Sequence, residues 1–178
     1  FAVRHWDVEP DILVMAKGIA SGLPLSGIIA RRELIDRLPP GSHGGTYGGK
    51  AVACAAGAAT IRAMRDENML ENANERGIQL MTGLHKLQEE YSQIGDVRGK
   101  GLMIGVEFVK DKSTKEPNEG IRDMIEKYGF QHGLLLLGCG KSTIRLAPPL
   151  CLTKQEADEG LEIFEHAITL AEHEQGLR

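Results

Sequence analysis

The sequence carries three cysteines in 178 residues, Cys54, Cys139 and Cys151. The number is odd and no two stand in a C-x-x-C spacing, which excludes a disulfide framework and a cysteine-rich zinc site and fits a reducing compartment. Free buried thiols are the expectation. The six histidines, His5, His43, His85, His132, His166 and His173, include no H-E-x-x-H spacing and no His-Cys cluster, so no metal site is expected. Basic excess is absent too: 21 Lys and Arg stand against 25 Asp and Glu, a formal net charge of -4. A nucleic-acid binder that tracks phosphates carries the opposite balance, so no nucleic-acid partner is expected. Nor does any apolar run approach the ~20 residues that span a bilayer, so no membrane partner is expected; the longest, around Leu134 to Leu137, is strand-sized. Internal repeats, low-complexity tracts and a Ser- or Pro-rich linker are all missing. The chain opens at Phe1 with neither an initiator Met nor a leader, which is read as sequence missing upstream.

What remains is a globular composition, 42% hydrophobic and 26% charged. A chain of this size buries roughly 70% of the surface it exposes when unfolded, enough for a core that needs no staple. Ile12 to Ala16 is a short apolar run ending at Lys17-Gly18, read as a buried strand of a parallel sheet. Leu25 to Ala30 reads as a second strand, and Arg32 to Leu38 as a helical turn stopped by Pro39-Pro40. A glycine-rich loop, 41 to 49, leads into an alanine-rich helix from about Ala51 to Arg65. A second helix has a stripe of Leu70, Ala73, Gly77, Leu80, Leu84, Leu87 and Tyr91. The alternation of Leu102, Ile104, Val106 and Phe108 with Met103, Gly105, Glu107 and Val109 predicts a half-buried strand. A helix over Glu119 to Gln131, strands at Leu134 to Leu137 and Thr143 to Ala147, and a helix opened by a Thr153/Glu156 capping box complete the pattern. Ala157, Leu161, Phe164, Ile168 and Ala171 form the buried stripe of that last helix. The fold class is α/β, with residues 1–68 as the end of a large sheet domain and 69–178 as a small α+β domain.

Three places could carry chemistry. Lys17 stands where an apolar strand meets glycine, and an amine against apolar walls has its charged form disfavoured, which favours nucleophilic reactivity; the alternative is a lysine that simply reaches solvent. The loop Gly44 to Gly49 before a helix start offers bare peptide N–H groups, a positive helix terminus and the Thr46 hydroxyl, the combination that holds a phosphate; glycines serving only tight turns are the alternative. Gly44 to Lys50 also matches the nucleotide-binding pattern G-x-x-x-x-G-K, but Ala51 replaces the metal-binding hydroxyl and Pro39-Pro40 precede the loop where a hydrophobic strand belongs. Alternation points Arg145 away from the face of Ile144 and Leu146, where its guanidinium can grip a carboxylate or form a structural ion pair. Cys139 between two glycines has no histidine near in sequence and is read as inert.

Taken in order, Pro10-Asp11-Ile12-Leu13-Val14-Met15-Ala16-Lys17-Gly18, Gly22-Leu23-Pro24-Leu25, His43-Gly44-Gly45-Thr46-Tyr47-Gly48-Gly49, Val97-Arg98-Gly99-Lys100-Gly101 and Ile144-Arg145-Leu146-Ala147-Pro148-Pro149 resemble the class III aminotransferases over nearly the whole chain. The resemblance implies a fold type I enzyme that uses pyridoxal 5'-phosphate, with Lys17 as Schiff-base lysine and proton shuttle. It implies Thr46 on the cofactor phosphate, reached from the partner subunit of a homodimer, and Arg145 on the substrate carboxylate. The substrates it implies are an ω-amino acid, 4-aminobutyrate first with ornithine, acetylornithine and β-alanine open, and a 2-oxo acid acceptor; the cysteine usage fits the cytoplasm or mitochondrial matrix. A racemase, aminomutase or decarboxylase of the same family would keep Lys17. Lys50, commonly Asn in this family, and Gly45, often Thr, depart from the pattern. The family's phosphate-cradling loop, ring-stacking aromatic and acidic partner of the pyridine nitrogen precede the position of Phe1. The expectation is therefore a C-terminal portion with negligible transamination alone, or a non-catalytic dimerisation module.

Overall fold

A computed structural model describes residues 1–177, leaving aside the side chain of Arg4. The chain divides into two compact units, Phe1–Glu67 and Asn68–Arg178. In the first, strand β1 (Ile12–Met15) pairs antiparallel with β2 (Gly27–Ala30), Ile12 opposite Ala30 and Met15 opposite Gly27. This corrects the parallel sheet read from the apolar run, and the reason is the link: parallel strands need a crossover of about a dozen or more residues, usually a helix. Ala16 to Ser26 offers only a four-residue 3-10 turn, Lys17–Ala20, with its exit. Burial is corrected as well, since Ile12, Val14, Ile28 and Ile29 are all exposed.

A one-turn helix α1 (Arg32–Ile35) ends before the prolines, and the glycine-rich segment that follows is a series of turns. Helix α2 (Ala51–Asp66) then runs over the 3-10 turn. Its small side chains permit close approach: a Cβ on Gly57 would lie 2.7 Å from Leu25 Cδ2 and 3.5 Å from the Ile19 carbonyl oxygen.

The second unit is an antiparallel sheet in the order β3 (Ile94–Lys100), β4 (Met103–Phe108), β6 (Thr143–Leu146), β5 (Leu137–Cys139), packed against helices α3 (Met69–Glu90), α4 (Glu119–Gln131) and α5 (Lys154–Glu174). Period-two alternation puts Ile104, Val106 and Phe108 of β4 and Ile144 of β6 into the core, where they meet Leu84, Ile121, Ile125, Phe164 and Ile168. Gly77 lies in the buried face of α3 because the chain crosses it there: a Cβ would meet the Gly101 carbonyl oxygen at 2.5 Å.

Some boundaries differ from the pattern. Leu70, in the first turn of α3, is exposed. Val109, read as facing out, is buried, since its N–H donates to the Gln93 carbonyl as the chain leaves β4. The leucine run 134–137 is mostly not strand: Leu134 and Leu136 pack on the core from an extended segment, and pairing starts at Leu137. Strand β2 starts at Gly27 and β6 ends at Leu146, each shorter than the apolar run that marked it. Cys54 and Cys151 are exposed and Cys139 is half-buried, correcting the expectation of buried thiols. Among the described residues, no helix is long and apolar enough to cross a membrane.

The capping box of α5 forms as the spacing requires: Thr153 Oγ1 accepts from the Glu156 N–H (3.2 Å), and the Glu156 carboxylate accepts from the Thr153 N–H (2.8 Å) and hydroxyl (2.7 Å). The backbone bond first, then the hydroxyl, holds the Glu156 carboxyl below the usual carboxylate range. A lowered folded pKa gives stabilisation that is present above the ordinary Glu pKa and lost as pH falls through the depressed value. Glu156→Gln is therefore expected to flatten the acid limb of the thermal stability profile. Melting curves of parent and variant below pH 5 check this, and an identical acid limb would contradict it.

Candidate active site

Lys17 opens the 3-10 turn with its backbone in the left-handed region (φ 57°), which turns it out of the β1 direction. Its side chain is exposed, so the run Ile12 to Ala16 does not enclose it. Instead Lys17 lines a cavity of about 770 Å3 together with Gly18, the Leu23-Pro24-Leu25 segment, Tyr47, Gly48 and Gly49. The amine has no hydrogen-bond or ion-pair partner among the described residues. The first unit thus brings the lysine and the glycine loop, some thirty positions apart in the sequence, to one concavity.

Thr46 sits in the turn Thr46–Gly49, exposed, beside rather than in the lining of that cavity. The loop N–H groups of Gly44 and Gly48 are spent on the carbonyls of Gly41 and Gly45. Those of Thr46, Tyr47 and Gly49 make no backbone bond among the described residues. Lys50 provides no side-chain cap to α2 and there is no acidic residue in its first turn, so the positive helix terminus is left open beside the loop. Lys50 Nζ lies instead 4.5 Å from the Tyr47 ring centroid. Turns and the short α1 precede the loop, so the strand that a nucleoside-triphosphate site requires is not in place.

Arg145 belongs to the second unit. It projects from β6 on the open face, opposite Gly105 of β4 and Leu137 of β5. Arg98, opposite Gly105 on its other side, bonds Asp96 (2.6 Å) and Glu107 (2.7 Å), and these two hydrogen bonds, Asp96 first, raise its pKa. Arg145 makes no such pair with any described residue. The structural ion pair that the sequence left open is therefore not found, and the guanidinium is available to a carboxylate. It lines a second cavity, of about 480 Å3, whose walls are mainly leucine with Pro148, Pro149 and Phe164.

Pyridoxal phosphate needs a free primary amine for its aldehyde and peptide or hydroxyl donors for its phosphate. The unpartnered Lys17 amine meets the first need, and the open N–H groups and Thr46 hydroxyl meet the second. A spatial tie that periodicity does not reveal joins Ser21 to Thr60 across 39 positions, with their hydroxyl oxygens 2.9 Å apart.

The family model Aminotransferase class-III matches residues 1–168. The chain is 41% identical to a leucine/methionine racemase of Thermococcus litoralis over 94% of its own length and 38% of the racemase. It is 40% identical to a probable 4-aminobutyrate aminotransferase of Bacillus subtilis over 93% of itself and 38% of that protein. It thus spans under two fifths of the length of these relatives. Among solved structures, an amine transaminase from an uncultivated Pseudomonas species in its PLP-bound form superposes with a TM-score of 0.85 at 37% identity, over 94% of this chain and 40% of that one. The α/β fold is that of the fold type I transaminases, and the chain belongs to the class III aminotransferases.

Proposed function

We propose that the protein transfers an amino group from an ω-amino acid, 4-aminobutyrate first, to a 2-oxo acid, using pyridoxal 5'-phosphate held by Lys17 and Thr46. The observation that carries this reading is the free Lys17 amine lining one cavity with Tyr47, Gly48 and Gly49. Bound pyridoxal phosphate supplies an aldehyde that condenses with amines and a ring that accepts the electron pair released at the substrate carbon. Lys17 contributes a nucleophilic amine and then a base that moves the proton at that carbon. The Thr46 hydroxyl and the open N–H groups beside it bind phosphate oxygens at the head of α2. Thr46 lies off the lining of its own chain's Lys17 cavity, which suits a residue that serves the partner subunit of a homodimer. Arg145 binds the substrate carboxylate through parallel hydrogen bonds, and its lack of a protein partner supports that role. The PLP-bound state of the similar Pseudomonas transaminase supports the cofactor, and the Bacillus relative supports the donor.

A racemase reading has one specific support, the Thermococcus relative at 41% identity. Products separate the two: transfer consumes the 2-oxo acid, and racemisation leaves it untouched. Arg145→Ala, in the protein expressed from its complete reading frame, tests the carboxylate role. It is expected to raise the barrier for 4-aminobutyrate by about 1.5–3 kcal/mol in kcat/KM, the range for a hydrogen bond to a charged group. A simple amine donor without a carboxylate should be used as before. Equal loss for both donors, or none for either, removes Arg145 from the site.

A further inference from the structure

The 3-10 turn that begins at Lys17 is held between two residues in the left-handed region. Lys17 has φ 57°, and Ser21, which closes the turn, has φ 47° and ψ 49°. Neither is glycine, and an L-residue stays in that region only where its surroundings hold it there. The backbone bonds within the turn are long, Ile19 N–H to the Ala16 carbonyl at 3.4 Å and Ser21 N–H to the Gly18 carbonyl at 3.2 Å, so they are weak restraints. Stronger ones come from α2.

Ala20 is buried against that helix, with 1% of its surface exposed. Gly57 leaves room for Leu25, whose Cδ2 a Cβ there would meet at 2.7 Å, and lies in ordinary contact range of the Ile19 carbonyl oxygen, at 3.5 Å. Ser21 is tied on the same side. Thr60 Oγ1 donates its one proton to the Ala56 carbonyl (2.9 Å), so in the 2.9 Å contact between the two hydroxyls Ser21 is the donor and Thr60 Oγ1 the acceptor. The relay runs Ser21 Oγ–H to Thr60 Oγ1–H to the α2 backbone. The same helix begins at the end of the glycine loop.

We propose that Ser21, acting through Thr60, is a positioning residue: it locks the turn to α2 and thereby fixes the direction in which Lys17 presents its amine to the cavity. This rests on the role of Lys17 proposed above. A serine fits this position because its hydroxyl supplies a hydrogen bond that glycine, which the backbone conformation by itself favours, cannot make.

The test compares Ser21→Gly, Ser21→Ala, Thr60→Val and the Ser21→Ala/Thr60→Val double variant with the parent, each expressed from the complete reading frame. Pyridoxal phosphate is added in limiting amount, samples are quenched with borohydride over time, and the pyridoxyl label on Lys17 is mapped. Melting temperature and hydrogen exchange at residues 19–23 are measured without cofactor. Each single variant is expected to slow labelling by about three- to tenfold, the loss of one neutral hydrogen bond. The double variant should be no slower than either single, because both remove the same bond. Ser21→Gly is decisive: it relieves the left-handed strain, so its melting temperature holds or rises, yet labelling slows and exchange at residues 19–23 quickens. Labelling at the parental rate in Ser21→Gly and Ser21→Ala, with Lys17 labelled in the parent, overturns the positioning role alone. No label on Lys17 in the parent overturns the functional reading and the positioning role with it.

Discussion

Lys17→Ala is expected to lower the rate of amino transfer by at least about 10²–10⁴-fold, the range for removing a positioned proton-transfer group. Lys17→Arg should fail to the same degree, because a guanidinium keeps the charge but is neither a nucleophile nor a base near neutral pH. Both variants should fold as the parent does. Lys17 is exposed and pairs with no described residue, so its removal leaves neither a cavity nor an orphaned polar group. Initial rates of 2-oxo acid consumption, read beside far-ultraviolet circular dichroism, check both statements. Retained turnover in either variant would move the chemistry away from Lys17.

The largest expected effect on stability lies in the second unit. Phe164 of α5 is 1% exposed and meets the Phe108 ring edge-on, with centroids 6.4 Å apart. Its removal leaves a gap in the core cluster it shares with Leu84, Ile144 and Ile168, fully buried side chains on three different elements. Phe164→Ala is expected to cost about 3–5 kcal/mol in chemical denaturation of the second unit, the range for deleting a buried aromatic ring. A loss below 1 kcal/mol would mean that the sheet and α5 are less tightly packed than their burial indicates.

The second unit was the more legible part of the sequence, and α5 shows why. Its start is written in Thr153 and Glu156, and its buried face in Ala157, Phe164, Ile168 and Ala171, so local chemistry and periodicity give the same answer. Helix α4 matches the range read from its pattern, Glu119 to Gln131, for the same reason. Strand β1 was misread because a continuous apolar run is a burial signal with no direction in it. The direction came from the short link after it, and Ile12 and Val14 are exposed in spite of their side chains. The leucines at 134–137 show the same weakness, since apolar residues anchor an extended segment as readily as they build a strand.

Of the candidate site, the individual residues were visible and their geometry was not. Lys17 was marked by its place between an apolar run and glycine, yet the cavity it shares with the loop depends on how α2 returns over the turn. Arg145 was placed on the open face by alternation, but only the pairing of Arg98 with Asp96 and Glu107 showed which arginine of that face is engaged and which is free. Ser21 and Thr60 gave no local signal, because a hydroxyl pair separated by 39 positions has no period.

The central claim is that Lys17 is the residue that holds pyridoxal phosphate. Borohydride reduction of the protein isolated from its natural source, followed by peptide mapping of the pyridoxyl label, tests it most directly. Label concentrated on Lys17 is the expected result. Label scattered over exposed lysines such as Lys50 and Lys141, or no label at all, would contradict it and leave a class III fold without the chemistry proposed for it.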